Sequence, residues 1–264
     1  DTMIAQTIVS AQNQQEGTGV EQTQDMTSII SDIIVNTNTE TGSKMIEEVN
    51  NSTTETNLSL KVISGISEKD TDKLNTLSEN NQEQIEKLTE DAVQNAENTT
   101  EDSQLIANVV SVVSDELANK VVEEVSKTST EEKQTLSAKV LKAIVDTEPD
   151  KMNIINEEVK DTMIKQTIES ATNQQEGTGI KEEVDLTSIV SDIIVKTDTE
   201  TASKIVEQVN ETDTDSNLSL KVISGISEKD SEKLETLSEN NKETIEKLTE
   251  NAIQNAENTK EDSE

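Results

Sequence analysis

The 264-residue chain has no tryptophan, tyrosine, phenylalanine, cysteine or histidine, and all 22 of its basic residues are lysines. Each absence removes a class of chemistry. Without histidine or cysteine there is no zinc or copper site of the usual kind, no thiol nucleophile and no imidazole base. Without arginine there is no bidentate clamp for phosphate or carboxylate. Without aromatic rings, the side chains that bury the largest areas are missing. Any core must then be built from Ile, Val, Leu, Met and Ala, which suit narrow helix–helix seams better than a thick α/β interior. Proline occurs once. No apolar run approaches the roughly 18 residues of a bilayer-spanning helix. From Asp1 onward there is no charged-then-apolar leader pattern. A chain without cysteine suits a cytoplasm or an exterior equally well.

What is present is polar and acidic. Fifty-six Asp and Glu against 22 Lys give a net charge of -34 and a pI near 4.2. Such a chain repels a phosphate backbone, which argues against nucleic acid as a partner, and anionic membrane surfaces are disfavoured on the same ground. Only 30% of residues are hydrophobic and the mean hydropathy is -0.66, against roughly 45–50% apolar content in ordinary soluble domains. Several thin, elongated modules are expected rather than one globule. Asp, Glu, Lys, Ser and Thr leave carboxylate-pair or Ser–Lys catalysis formally open. They are also the residues of any solvated helix surface, where charge keeps an exposed chain soluble. The expectation is a non-enzymatic protein with no catalytic, cofactor-binding or metal-binding residues, its acidic surface holding divalent cations weakly and non-specifically at most.

Repetition is the informative feature. Residues 1–104 align with 161–264 without a gap, with 74 identities in 104 positions, and NLSLKVISGISEKD stands at both Asn57–Asp70 and Asn217–Asp230. A weaker repeat of about half that length lies inside the 160-residue period. Leu58, Val62, Ile63 and Ile66 match Leu136, Val140, Leu141 and Ile144 at a shift of 78, and Leu74, Leu77 and Ile85 match Met152, Ile155 and Met163 at the same shift. The chain therefore reads as two alternating types of roughly 80-residue unit. Residues 1–26 form the C-terminal part of one unit, 27–104 a unit of type A, 105–186 one of type B, and 187–264 a second of type A.

Within a unit the spacing is helical. Ile106, Val110, Val113, Leu117, Val121 and Val125 step by three and four, the mark of one buried helix face. Leu136, Val140, Leu141 and Ile144 continue the pattern after a polar break at Ser126–Thr130, where Ser129 and Glu132 have capping-box spacing. Pro149 marks the next boundary. In the segment NLSLKVISGIS, Leu58, Leu60 and Val62 alternate as in a strand, but the positions shared with Leu136–Ile144 favour helix. The spacing predicts an all-α fold of tandem three-helix bundle or coiled-coil repeats forming a rod, with helices of about 24, 14 and 26 residues per unit. A runner-up joins the first two helices and hairpins them with the third as a long coiled coil. Thr37, Thr41 and Asn81 fall at seam-like positions and weaken the stripe.

Four features call for a functional reading. Asp213, Asp215 and Asn217 open like a calcium loop, but Leu218 stands where glycine is needed and Ser224 where glutamate is needed. A solvated interhelix turn is the better reading. Gly17 and Gly19, with Gly177 and Gly179, lie in NQQEGTG; no strand precedes this motif and no Lys-Ser/Thr pair follows it, so a helix C-terminus with a left-handed glycine fits better than a phosphate loop. Gly65 and Gly225 are replaced by Ala143 in the other unit type, which points to close helix packing. The sequons at Asn98 and Asn217 are expected by chance in an Asn- and Thr-rich chain.

With its KVISGISEKD repeats and two alternating 80-residue types, the chain resembles the repeat regions of giant bacterial surface proteins and adhesins. The resemblance is one of architecture and composition over the whole chain. It implies an extracellular or cell-surface stalk with adjacent repeats as neighbours, divalent-dependent stiffness, no membrane insertion, and an unspecified protein or surface partner. An intracellular coiled-coil filament or scaffold, and a hydrophilic protectant that folds only on drying or binding, are the alternatives.

Overall fold

A computed structural model describes residues 2–18, 25–52, 57–129, 133–178, 184–212 and 217–255. The regular structure among them is entirely helical. Helix α1 (Thr2–Gln15) is followed by α2 (Met26–Asn36), α3 (Thr39–Ser52), α4 (Leu58–Lys69), α5 (Thr71–Asn80) and α6 (Gln82–Asn95). Then come α7 (Thr100–Val112), α8 (Asp115–Thr128), α9 (Leu136–Thr147), a 3-10 turn at Pro149–Asn153, and α10 (Glu157–Gln175). Helices α11 (Leu186–Lys196), α12 (Thr199–Thr212), α13 (Leu218–Lys229), α14 (Ser231–Asn240) and α15 (Lys242–Asn255) reproduce the bounds of α2–α6 160 residues on. The segment with strand-like alternation is helix α4, and its eight buried residues include Leu58, Val62, Ile63 and Ile66.

The long first helix expected in each unit, and the long third helix of type A, are broken into two. The reason lies in residues that accept hydrogen bonds from a new first turn. Between α2 and α3, Asn38 Oδ1 accepts the Thr41 N–H at 2.9 Å, and between α11 and α12, Asp198 Oδ1 accepts the Thr201 N–H at 2.9 Å. Side-chain acceptors of this kind stabilise a helix start by about 1 kcal/mol, which offsets the backbone bonds lost at the break. Between α7 and α8, Ser114 Oγ accepts the Leu117 N–H at 3.4 Å. The three-and-four stepping survives the break: Ile106, Val110, Val113, Leu117, Val121 and Val125 are all at most 3% exposed. Asp70 both ends α4, donating its N–H to the Ile66 carbonyl, and opens α5, accepting the Lys73 N–H at 2.8 Å. Asn81 joins α5 to α6 and donates to Ser43 Oγ. Thr37, Thr41 and Asn81 are thus parts of helix junctions.

Two further boundaries differ from expectation. Ser126 lies inside α8, its hydroxyl donating to the Glu123 carbonyl. Helix α9 starts at Leu136, well after Ser129, and Ser129 Oγ accepts the Ser137 N–H at 3.1 Å from outside the helix. Glu132 lies outside the described residues.

The chain divides into two compact units: Asp1–Thr128 with Ile154–Asn156, and Ser129–Asn153 with Glu157–Glu264. In the first, α4 packs against α2, α6 and α7, α6 also packs against α3 and α8, and α1 lies on α2 and α3. Ile154–Asn156 is tied to this unit by Asn119, whose amide donates to the Ile154 carbonyl and accepts the Asn156 N–H. In the second unit α9 packs on α10 and α11, α13 on α11 and α15, and α10 on α12. Both cores are aliphatic, with Ile30, Ile34, Ile46, Leu58 and Ile66 fully buried in the first and Leu186, Ile194, Val209 and Leu218 in the second. Each such side chain contributes about 1.5–3 kcal/mol relative to exposure. The sequence boundaries 26/27 and 186/187 fall at the first residues of α2 and α11, whereas 104/105 falls inside α7.

Candidate functional site

The NQQEGTG motif is a helix end with a built-in link to the next helix. Gly17 and Gly177 have φ of 65° and 69°, the left-handed region. After α1, the Thr18 N–H donates to the Asn13 carbonyl at 2.9 Å and the Gly17 N–H to Gln14 at 3.3 Å; Thr178 and Gly177 repeat both bonds after α10. This is the paired closure of a glycine-terminated helix. The two glutamines extend it. Gln14 accepts the Met26 N–H at 2.8 Å and Gln15 donates to Thr27 Oγ1, while Gln174 accepts the Leu186 N–H at 2.9 Å and Gln175 donates to Thr187 Oγ1. The motif's amides thus cap the first turns of α2 and α11 alongside Asp25 and Asp185, whose carboxylates accept the Thr27 and Thr187 N–H groups. Gly19 and Gly179 lie outside the described residues.

Gly65 and Gly225 serve close packing. A Cβ at Gly65 would stand 2.5 Å from Ser31 Oγ, and one at Gly225 would stand 2.5 Å from Ser191 Oγ. Each serine bonds across the seam to the facing helix, Ser31 to the Val62 carbonyl and Ser191 to that of Val222.

Of the calcium-loop residues, Asp213 and Asp215 lie outside the described residues, as do positions 53–56 of the first copy. Asn217 sits at the N-cap of α13 and makes no side-chain capping bond. Among the described residues no three Asp or Glu side chains group closely enough to hold a metal ion. The sequon at Asn98–Thr100 coincides with a helix start, where Thr99 Oγ1 accepts the Asp102 N–H.

Among the described residues, the densest charged arrangement lies in the second unit, on α9, α11 and α13. Lys142 pairs with Asp146 at 2.6 Å and with Asp192 at 3.2 Å; Lys196 also pairs with Asp146, and Lys229 with Asp192 at 2.6 Å. Burial works against the Lys142 ammonium, but the hydrogen bonds and charges of Asp146 and Asp192 outweigh it and raise its pKa. Burial likewise opposes ionisation of Asp146, and its two lysines outweigh that to lower its pKa. Lys229 also donates to Ser188 Oγ at 2.9 Å, as Lys69 does to Ser28 at 3.0 Å. In both contacts lysine is the donor and serine the acceptor. These contacts clip α13 to α11 and α4 to α2.

Asp102 was not singled out by sequence, although Thr99-x-x-Asp102 has capping-box spacing. It is 4% exposed, and accepts from the Glu97 N–H at 2.6 Å and from the Asn57 amide at 2.8 Å. Burial raises its pKa despite these two bonds. An open groove of about 350 Å³ beside α3 and the α5–α6 junction is lined by Glu40, Ser43, Lys44, Asn81 and Gln84.

No family model matches this chain, and no curated protein does. A solved structure described as "Computational Design of Self-Assembling Cyclic Protein Homooligomers" matches with 15% identity and a TM-score of 0.19, covering 99% of this chain and 90% of that one.

Proposed function

We propose that this chain is a non-enzymatic structural repeat region, serving as a stalk, spacer or multivalent interaction rod within a larger acidic protein at a cell surface. One observation carries the reading: whole helices recur with the same bounds 160 residues apart. Large buried side chains change within the apolar class, as in Ile30 to Val190, Met45 to Ile205 and Ile46 to Val206. An enzyme gains little from copying its entire body, whereas length and valency both grow with copy number. The roughly 80-residue unit is then read as three helices, the first and third each broken once in type A. A net charge of -34 keeps such a chain soluble and unaggregated.

Far-UV circular dichroism with thermal melting and small-angle scattering on this chain at moderate salt tests the proposal. The expected result is a helical, cooperatively melting monomer whose scattering gives an elongated particle. A coil-like spectrum would move the reading to the hydrophilic protectant. Concentration-dependent lengthening would move it to the filament or scaffold.

A further inference from the structure

Among the described residues, one surface is covered in the first unit and open in the second. In the first unit α7 packs on α4 and α8 on α6. Beneath them Leu60, Ile63, Leu74, Ile85 and Val93 are at most 1% exposed. Their counterparts on α13, α14 and α15 are different: Leu220, Ile223, Leu234 and Ile245 are only partly buried, and Ile253 is 72% exposed. Thr89 is buried whereas Thr249 is exposed. Sequence does not explain the contrast, because Leu60–Asp70 and Leu220–Asp230 are identical. The cover does. Exposure differs at another position too: Met163 is fully buried in α10, which packs on α9, while its counterpart Met3 in α1, which packs on α2 and α3, is 80% exposed.

We infer that the α13–α15 face is a docking site for a helix–break–helix segment of the α7–α8 type. The occupant carries aliphatic residues at the spacing of Ile106, Val110, Leu117, Val121 and Val125, with an acidic start to each helix. The polar partners of this seat recur as well as the apolar ones. In the first unit Glu86 pairs with Lys120, Asn57 donates to Asp102, and Gln82 donates to Glu116. At the corresponding positions stand Glu246, Asn217 and Lys242. Lys242 places a cation where Gln82 meets Glu116, which favours the same acidic segment. A second intact copy is a poorer occupant, because its own α7–α8 pair is already seated on its α4 and α6. The inference rests on burial alone and stands apart from the stalk reading.

The test uses the full chain and a synthetic peptide spanning Glu97–Ser129, with isothermal titration as the readout. Saturable one-to-one binding is expected, weakened about tenfold or more by Ile223→Glu or Ile253→Glu, in line with loss of a central apolar anchor. Met3→Glu, at a different exposed position, leaves it unchanged. Since an isolated peptide of this length forms little helix on its own, a second arm extends the chain after Glu264 with the 105–129 sequence. The protein has no cysteine, so Ile253→Cys provides a unique thiol. Its alkylation slows at least about tenfold in the extended chain if the segment docks, by analogy with the protection expected of a closed site. Absence of peptide binding together with unchanged alkylation overturns the inference. So does reversible dimerisation of the unextended chain that Ile253→Glu abolishes, since it assigns the face to a second copy.

Discussion

Two pairs of glycines in this chain answer to different forces, and substitution separates them. Gly177 has a φ of 69°, and no heavy atom lies within 4 Å of where its Cβ would stand, so only backbone strain opposes a side chain there. Gly177→Ala is expected to cost about 1 kcal/mol, the usual penalty for a left-handed L-residue. Gly65 faces Ser31 Oγ at 2.5 Å from the position of a Cβ, so Gly65→Ala forces apart two buried helices and costs about 1–3 kcal/mol. Adding Ser31→Ala to Gly65→Ala removes the nearer atom and recovers part of the loss, whereas it recovers none in a Gly177→Ala background. Chemical denaturation of the four variants reads both effects. Equal losses from the two glycines, with no rescue, would remove the packing account of Gly65.

Helix starts carry much of the sequence information at the scale of the element. Asp25 N-caps α2, and its pKa is lowered. Burial pushes that pKa up, and the hydrogen bonds from the Thr27 hydroxyl and from the Thr27 and Ser28 N–H groups outweigh it. Asp198, at the α11–α12 break, is lowered in the same way by Thr201 and Glu200 against burial. A carboxylate with a lower folded than unfolded pKa binds fewer protons when folded. Its stabilisation is therefore fully present above the ordinary value of 3.8 and is lost as pH falls through the lower folded value. Asp25→Ala should cost about 1 kcal/mol at pH 7, and the gap to the parent protein should close in acid. Urea melts at pH 7 and near pH 3 measure this, and an undiminished gap in acid would show that the carboxylate's charge is not what caps α2. Asp102 has the opposite sign. Its folded pKa is raised by burial, so its ionisation subtracts stability as pH rises from 3.8 through the folded value. Asp102→Asn should flatten that part of the pH profile while keeping an acceptor for Glu97.

For the whole molecule the dominant quantity is net charge. Many of the lysine–carboxylate pairs among the described residues are solvent-exposed, as with Lys44–Glu40 and Lys247–Glu243, and such pairs contribute about 0–1 kcal/mol each. They leave a net charge of -34 whose self-repulsion opposes compaction. Raising sodium chloride from about 10 mM to about 500 mM shortens the screening length several-fold, so the thermal midpoint is expected to rise. Circular dichroism melts across that range check it, and a falling midpoint would mean that the ion pairs outweigh the repulsion. The cluster of Lys142, Lys196 and Lys229 with Asp146 and Asp192 is the place where pairing is best developed. Lys142→Met should therefore lower the midpoint more at low salt than at high salt.

Composition and periodicity by themselves determined the helical class, the aliphatic core and the 160-residue copy, because each depends only on residue type and spacing. The reading of NLSLKVISGIS as helix came from the same source: positions shared with Leu136–Ile144 keep helical spacing even where Leu58, Leu60 and Val62 alternate. The left-handed glycine after α1 and α10 was legible too, since the motif lacked what a phosphate loop requires. The helix breaks at Asn38, Asn81 and Ser114 were not, because apolar stepping continues in phase across them while the deciding hydrogen bonds come from side chains suited to either a surface or a cap. Only tertiary structure showed that Gln14, Gln15, Gln174 and Gln175 link consecutive helices, and that Asp102 is buried against Asn57. Only it separated Ile63 from Ile223, identical in type and in local sequence yet covered in one place and open in the other. Burial is a property of what packs on a residue, and the residue's own sequence does not contain it.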